Sequence, residues 1–175
     1  VIYAAVSTDR GRKRSYATTI HTNKIVKKTP LFPEGKANAR NLYGNIEELK
    51  QRQIPVADHR MLPDGSLELP YIPWPTLSNY IKEIIKEDQE EFLSILDRIY
   101  SYILKSSPQV PASDNALRFL AQGAGQGQKG EKQAQPGQKT YDFGPILRKA
   151  YMELIPLNCF YNPETKEFLY FDQEF

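Results

Sequence analysis

Ile2-Tyr3-Ala4-Ala5-Val6, then Tyr16-Ala17-Thr18-Thr19-Ile20-His21, then Lys24-Ile25-Val26-Lys27 are the stretches whose reading decides the fold. Each is short and rich in aromatic, Thr or β-branched residues, and polar turn residues bound it, which is the pattern of a strand. The first turn, Ser7 to Ser15, carries Gly11 among four basic residues, and Asn23 marks the second. Three strands joined by short polar turns predict an antiparallel meander.

Beyond the meander, Pro33 sits near a helix start, where its missing N–H costs nothing. From Glu34 to Lys50 the residues Ala39, Leu42, Tyr43, Ile46 and Leu49 fall on one helical face. Ile54-Pro55-Val56 leads out of the helix. His59 to Leu62, Asp64-Gly65 and Ser66 to Leu69 then read as a hairpin with a type I′ turn. Pro70 to Pro75 contains three prolines and predicts no regular element. Thr76 reads as the N-cap of a helix over Leu77 to Lys86. A further helix from about Asp88 to Lys105 is expected to bury Phe92, Leu93, Ile95, Leu96, Ile99, Tyr102 and Ile103 against more than one neighbour. Ala116 to Ala121 adds a short helix to the expectation, and Phe143 to Tyr151 a helix start. Between them, residues 122–140 carry almost no large apolar side chain and are expected to be a mobile loop. Leu157 to Tyr161 and Glu167 to Phe171, around a turn at Asn162 to Thr165, read as a second hairpin within 157–172. The whole is α+β, divided at about residue 75 into a sheet-and-helix part, 1–75, and a mainly helical part, 76–175.

The 175 residues suit one domain, or one domain with a tail. A single cysteine excludes an internal disulfide framework and a Cys-based zinc site, and two histidines argue against a His-rich metal site. A formal charge of +2 leaves no overall electrostatic footprint for nucleic acid, so none is expected as a partner. No apolar run approaches the ~18 residues of a membrane helix, and no secretory apolar segment opens the chain. A cytoplasmic domain is the default expectation, and the initial valine suits a fragment or a processed chain.

Several motifs look chemical and lack the required context. Gly125 to Gly130 matches G-x-G-x-x-G, but no strand precedes it and no helix follows to aim N–H groups at phosphate. Asp142-Phe143-Gly144 matches the metal-binding tripeptide of protein kinases but precedes any catalytic-loop candidate, the wrong order for that chemistry. The basic turn Arg10 to Arg14 reads as a solvated hairpin tip, His21 and His59 as ordinary surface or core residues, and Cys159 as a small core residue.

Two oxygen-bearing side chains, Asn158 and Asp172, stand at opposite ends of the second hairpin, whose turn brings its ends together. An amide and a carboxylate on the same side suit a hard cation such as Mg²⁺, which takes one or two protein ligands and completes its shell with nucleotide phosphates and water. Tyr151-Met152-Glu153-Leu154-Ile155-Pro156-Leu157-Asn158 resembles the His-Gly-Asp-x-x-Pro-x-Asn catalytic loop of aminoglycoside phosphotransferases, choline kinases and lipopolysaccharide kinases. Phe171-Asp172-Gln173-Glu174-Phe175 resembles their metal-binding Ile-Asp-x-Glu segment. The chain as a whole is similar to kinase-like domains that accompany methyltransferases and glycosyltransferases in bacterial surface-polysaccharide clusters. The cues are Val26-Lys27-Lys28 before a Pro/Glu/Ala helix, Leu69-Pro70-Tyr71-Ile72 before Thr76-Leu77, and Asp172-Gln173-Glu174-Phe175.

The resemblance implies a kinase-like fold: a small antiparallel-sheet N-lobe with one helix, a hinge, and a mainly helical, truncated C-lobe. It implies ATP and Mg²⁺ as cofactors and phosphotransfer to a small molecule or sugar in envelope glycan biosynthesis, with a transferase as partner domain. Lys27 would meet the nucleotide phosphates. Lys28 is the rival, because strand alternation lets only one of the two face the cleft. Glu47 or Glu48 would pair with that lysine. Leu69, Pro70, Tyr71 and Ile72 would form the hinge against adenine, Glu153 and Asp172 would be catalytic, and Asn158 and Asp172 would hold Mg²⁺. Glu153 stands where the family has aspartate, Tyr151 and Met152 where it has His and Gly, and no glycine-rich nucleotide loop is visible. These departures suit an inactive, pseudokinase-like interaction module instead. A third expectation is a binding domain unrelated to kinases, working through Pro70 to Pro75 and Trp74.

Overall fold

The computed structural model of the chain describes residues 1–111 and 145–174. Strands β1 (Tyr3–Ser7), β2 (Tyr16–Ile20) and β3 (Ile25–Pro30) form the expected antiparallel meander. Helix α1 (Gly35–Gln51) follows, then β4 (Arg60–Met61), β5 (Leu67–Pro70), α2 (Leu77–Ile84) and α3 (Gln89–Ser106). Strands β6 (Cys159–Asn162) and β7 (Glu167–Tyr170) close the order. The first five strands make one antiparallel sheet in the order β1-β2-β3-β5-β4, and β6-β7 is a separate two-stranded ribbon.

Side-chain alternation divides the sheet into two faces. The cross-strand partners Thr18↔Lys28 and Lys28↔Leu67 share one face; Thr19↔Lys27 and Lys27↔Glu68 share the other. Against the first face lies α1, with Ala39, Leu42, Ile46 and Leu49 buried at helical spacing. Tyr16 anchors the helix start: its hydroxyl donates to Gly35 O at 3.2 Å and accepts from Asn38 Nδ2 at 3.1 Å. At the other end Gln53 takes φ 57, and the Ile54 and Gln53 amides bond to Leu49 O and Lys50 O at 3.0 and 2.8 Å. That is a Schellman stop built without glycine. One core joins the parts on either side of residue 75, running from Leu42 and Leu67 through Leu77, Ile95 and Ile99 to Tyr161 and Tyr170.

Three local expectations are corrected. The β4–β5 turn is not type I′, because among its loop residues only Gly65 has positive φ, at 87°. Leu62 O accepts from Gly65 N at 2.9 Å and Leu62 N donates to Ser66 O at 2.8 Å. This is a three-residue loop, a type I turn with a bulge at Gly65, and Pro63 pre-sets its first central residue. Helix α3 starts where expected, capped by Asp88 Oδ1 on the Glu91 amide at 2.9 Å, but it buries only Ile95, Ile99 and Ser106. Leu93, Leu96, Tyr100 and Ile103 are exposed, so the apolar width reflects one packed side and one facing water. Residues 145–151 form no helix; Val110 N donates to Ile146 O at 2.7 Å and Arg148 N to Pro108 O at 2.9 Å, an extended pairing. Residues 116–121, the 122–140 segment with its glycine motif, and Asp142 to Gly144 lie outside the described residues. Among the described residues no helix is long and apolar enough to cross a membrane.

Candidate functional site

The β6–β7 ribbon brings distant segments together. Asn162 Oδ1 accepts from the Glu164 and Thr165 amides at 3.0 and 3.4 Å and shapes the turn. The ribbon is clamped by main-chain bonds: Ala57 N to Tyr170 O at 2.7 Å, Tyr170 N to Pro55 O at 2.9 Å, and Tyr161 N to Pro75 O at 3.0 Å. At its open end Phe171 N donates to Asn158 O at 2.9 Å, and the Phe160 and Phe171 rings stack at 4.3 Å.

Past the ribbon, Asp172 adopts φ 58, a left-handed turn that Asp tolerates better than most residues. Its carboxylate accepts from Lys28 Nζ, which also donates to Glu174 Oε1 at 3.1 Å and lies 4.9 Å from the centre of the Tyr16 ring. Burial works against the ammonium charge, but the two carboxylates outweigh it and raise the Lys28 pKa. Arg10 Nη1 stands 3.8 Å from Glu174 Oε2. The segment is fixed from below: Asn45 Nδ2 donates to Gln173 O at 2.9 Å, Gln173 Nε2 to Glu153 O at 3.0 Å, and the Glu174 amide to Glu153 Oε2 at 2.6 Å.

Lys28 and Asp172 line a cavity of about 360 Å³, within the range of small-ligand pockets. Thr18, Ile20 and Val26 contribute the sheet wall, Leu69 to Ile72 the strand exit, and Trp74, Phe160 and Phe171 aromatic surface; Leu42 and His59 also face it. Flat apolar walls with one cation and one anion suit a planar heterocycle carrying a charged substituent.

Of the expected site residues, Lys28, Asp172, Leu69, Tyr71 and Ile72 meet at this cavity, as does Pro70. Lys27 does not. It points from the opposite sheet face to Asp64 Oδ2 at 3.2 Å, so alternation decides for Lys28. Bonds from Ser66, and then from Lys27, hold the Asp64 carboxyl at about 2. Neither expected helix acid reaches Lys28. Glu47 pairs with Lys50 at 3.1 Å, and Glu48 with Lys149 at 2.5 Å and with the Tyr151 hydroxyl. The acids on Lys28 come from after the ribbon, because α1 turns Glu48 toward residues 149–151 and leaves Glu47 beside Lys50 of its own helix.

Asn158 is at the ribbon's open end as expected, yet it is joined there through its backbone and does not line the cavity. Glu153 is buried and likewise off the cavity, with one carboxylate oxygen capping the Glu174 amide. Burial raises its pKa, and the negative charges of Asp172 and Glu174 add to the rise. Sequence reasoning missed His59, Phe160, Phe171 and the pairing of Glu174 with Lys28. The signals were Phe160 two residues from Asn158 on one strand face and Phe171 beside Asp172.

Among the described residues no group of three or more His, Cys, Asp or Glu side chains is arranged to hold a metal ion. Asp172 and Glu174 nevertheless share one cation already, the Lys28 ammonium. Two carboxylates completed by phosphate oxygens fit Mg²⁺. In comparisons with known proteins no family model matches the chain, and no curated protein or solved structure does either, so the reading of the cavity rests on its own residues.

Proposed function

We propose that the cavity binds ATP with Mg²⁺ and that the chain is a kinase-like domain, serving phosphotransfer to a small molecule or sugar such as those of bacterial envelope glycans. The observation that carries this reading is the contact between a strand lysine, Lys28, and an acid just past the ribbon, Asp172, in the lining of an apolar, aromatic cavity. Leu69 to Ile72, with Phe160 and Phe171, would enclose the base. Lys28 would exchange its carboxylates for phosphate oxygens, as point-charge recognition of phosphate requires. Asp172 and Glu174, released from Lys28, would hold Mg²⁺, which when bound neutralises phosphate charge and orients the transferring group.

ATP titration followed by fluorescence of Trp74, the only tryptophan and a cavity residue, tests this. Binding should be Mg²⁺-dependent, weaken at least tenfold in Lys28→Met, and lose its Mg²⁺ dependence in Asp172→Asn. Absence of ATP binding with and without Mg²⁺ ends the reading.

A second reading is a catalytically inactive, pseudokinase-like interaction module attached to a methyltransferase or glycosyltransferase. The buried Glu153 favours it. A general base must come within hydrogen-bond reach of the acceptor proton, and this carboxylate is engaged by a backbone amide instead. Purified protein that binds ATP without turning it over would select this reading; acceptor-dependent release of ADP would remove it.

A further inference from the structure

We propose that His59 is the specificity-determining residue of the cavity: its Nε2 accepts a hydrogen bond from the exocyclic amino group of the bound base, so the site selects an adenine-type heterocycle. The inference rests on the nucleotide reading of the cavity and names the residue that would read the edge of the base.

The argument begins with the tautomer. His59 Nδ1 lies 2.7 Å from Ala57 O, and a carbonyl oxygen only accepts, so Nδ1 carries the proton. The Ala57 carbonyl is itself fixed, because the Ala57 amide is bound to Tyr170 O at 2.7 Å and the residue is buried. Nε2 is then the ring's remaining polar atom, and it takes no partner among the described residues. The groups acting on the ring are Lys28 from β3, Asp172 from beyond the ribbon and Lys50 from α1. Burial is the largest influence and lowers the His59 pKa; the two lysines lower it further, against the opposing pull of the Ala57 carbonyl and Asp172. The neutral ring presents a lone pair at Nε2, an acceptor and not a donor.

The other polar side chains lining the cavity are less selective. In the nucleotide reading Lys28 is taken by phosphate and Asp172 by Mg²⁺, and Trp74 only donates. The Thr18 and Tyr71 hydroxyls rotate and serve donor or acceptor alike, so they discriminate little. A fixed acceptor in a mainly apolar lining favours a ligand with a matching N–H, and a ligand without one leaves it unpaired.

The test compares ATP with purine riboside triphosphate, which lacks only the amino group, using Trp74 fluorescence with Mg²⁺ on the wild-type chain and on His59→Phe. Wild type is expected to bind ATP about tenfold more tightly, the worth of one hydrogen bond. In His59→Phe the two should bind alike, through weaker ATP binding and unchanged analogue binding. Equal binding of both ligands by the wild type overturns the assignment and leaves the nucleotide reading standing. So does a preference that persists in His59→Phe. Binding of neither ligand to the wild type overturns both. The wild-type comparison needs no variant, so it decides even if His59→Phe fails to fold.

Discussion

The two faces of the five-stranded sheet carry adjacent lysines with opposite fates. On one face Lys27 reaches the exposed Asp64 of the β4–β5 loop, a pair in free exchange with solvent. On the other Lys28 is held by Asp172 and Glu174, residues distant in sequence, above a ring and beside a cavity. The side chains are chemically identical. What separates them is a single step of the pleat and what the rest of the molecule has packed against each face. Charge on a solvated face contributes little, whereas charge enclosed by α1 and the ribbon has to be matched.

The largest expected effect breaks the packed face itself. Leu67, fully buried directly across from Lys28, should cost about 2–5 kcal/mol as Leu67→Ala in chemical denaturation. Exposed Val6 on the opposite face should cost well under 1 kcal/mol as Val6→Ala. Equal losses would refute the division between the faces. Next, Lys28→Ala leaves two carboxylates without their cation and should lose on the order of 2–4 kcal/mol in the same measurement. Lys27→Ala should leave the unfolding midpoint nearly unchanged.

A smaller effect of opposite sign concerns Glu153. Its folded-state pKa is raised, so the protonated form is favoured on folding. The associated stability is fully present below the unfolded pKa, ~4.3, and is lost as pH rises through the higher folded value. At neutral pH the ionised group therefore opposes folding. Glu153→Gln keeps an oxygen for the Glu174 amide, removes the charge, and should raise stability at pH 7 by about 1 kcal/mol. That gain should shrink as pH falls from 7 toward 4, measured by denaturation at each pH. The smallest effect sharpens the account of the helix behind the packed face. Gln53→Gly relieves a left-handed residue at the end of α1 and should stabilise by about 0.5–1 kcal/mol in thermal unfolding.

Much of this architecture was legible where the signal is local. The meander, the buried stripe of α1, the cap at Thr76 and the start of α3 near Asp88 follow from periodicity and side-chain chemistry over a few residues. The β4–β5 turn was misjudged because Asp64-Gly65 was weighed without Pro63, whose ring sets the turn type. The exposed side of α3 escaped because apolar width states what a helix could bury, not what is there to bury it. At the cavity, the Leu69-to-Ile72 wall was expected from the family resemblance and Asp172 from its place at the hairpin's end. The choice of Lys28 was not legible, since it depends on which sheet face receives residues 172–174. The pairing expected of Glu47 or Glu48 with this lysine is not found, and Glu153 meets the Glu174 amide, for the same reason: position in a motif does not specify which amide or ammonium a carboxylate will find.

The tie between Lys28 and Asp172 spans 144 positions of sequence. Closing so long a loop is entropically costly and slows formation of whatever depends on it. On the ribosome the sheet and α1 can assemble early, while the cavity waits for residues 172–174 to emerge. A nascent chain caught before then would present a finished scaffold with its apolar pocket wall open, the interval in which a chaperone has most to shield.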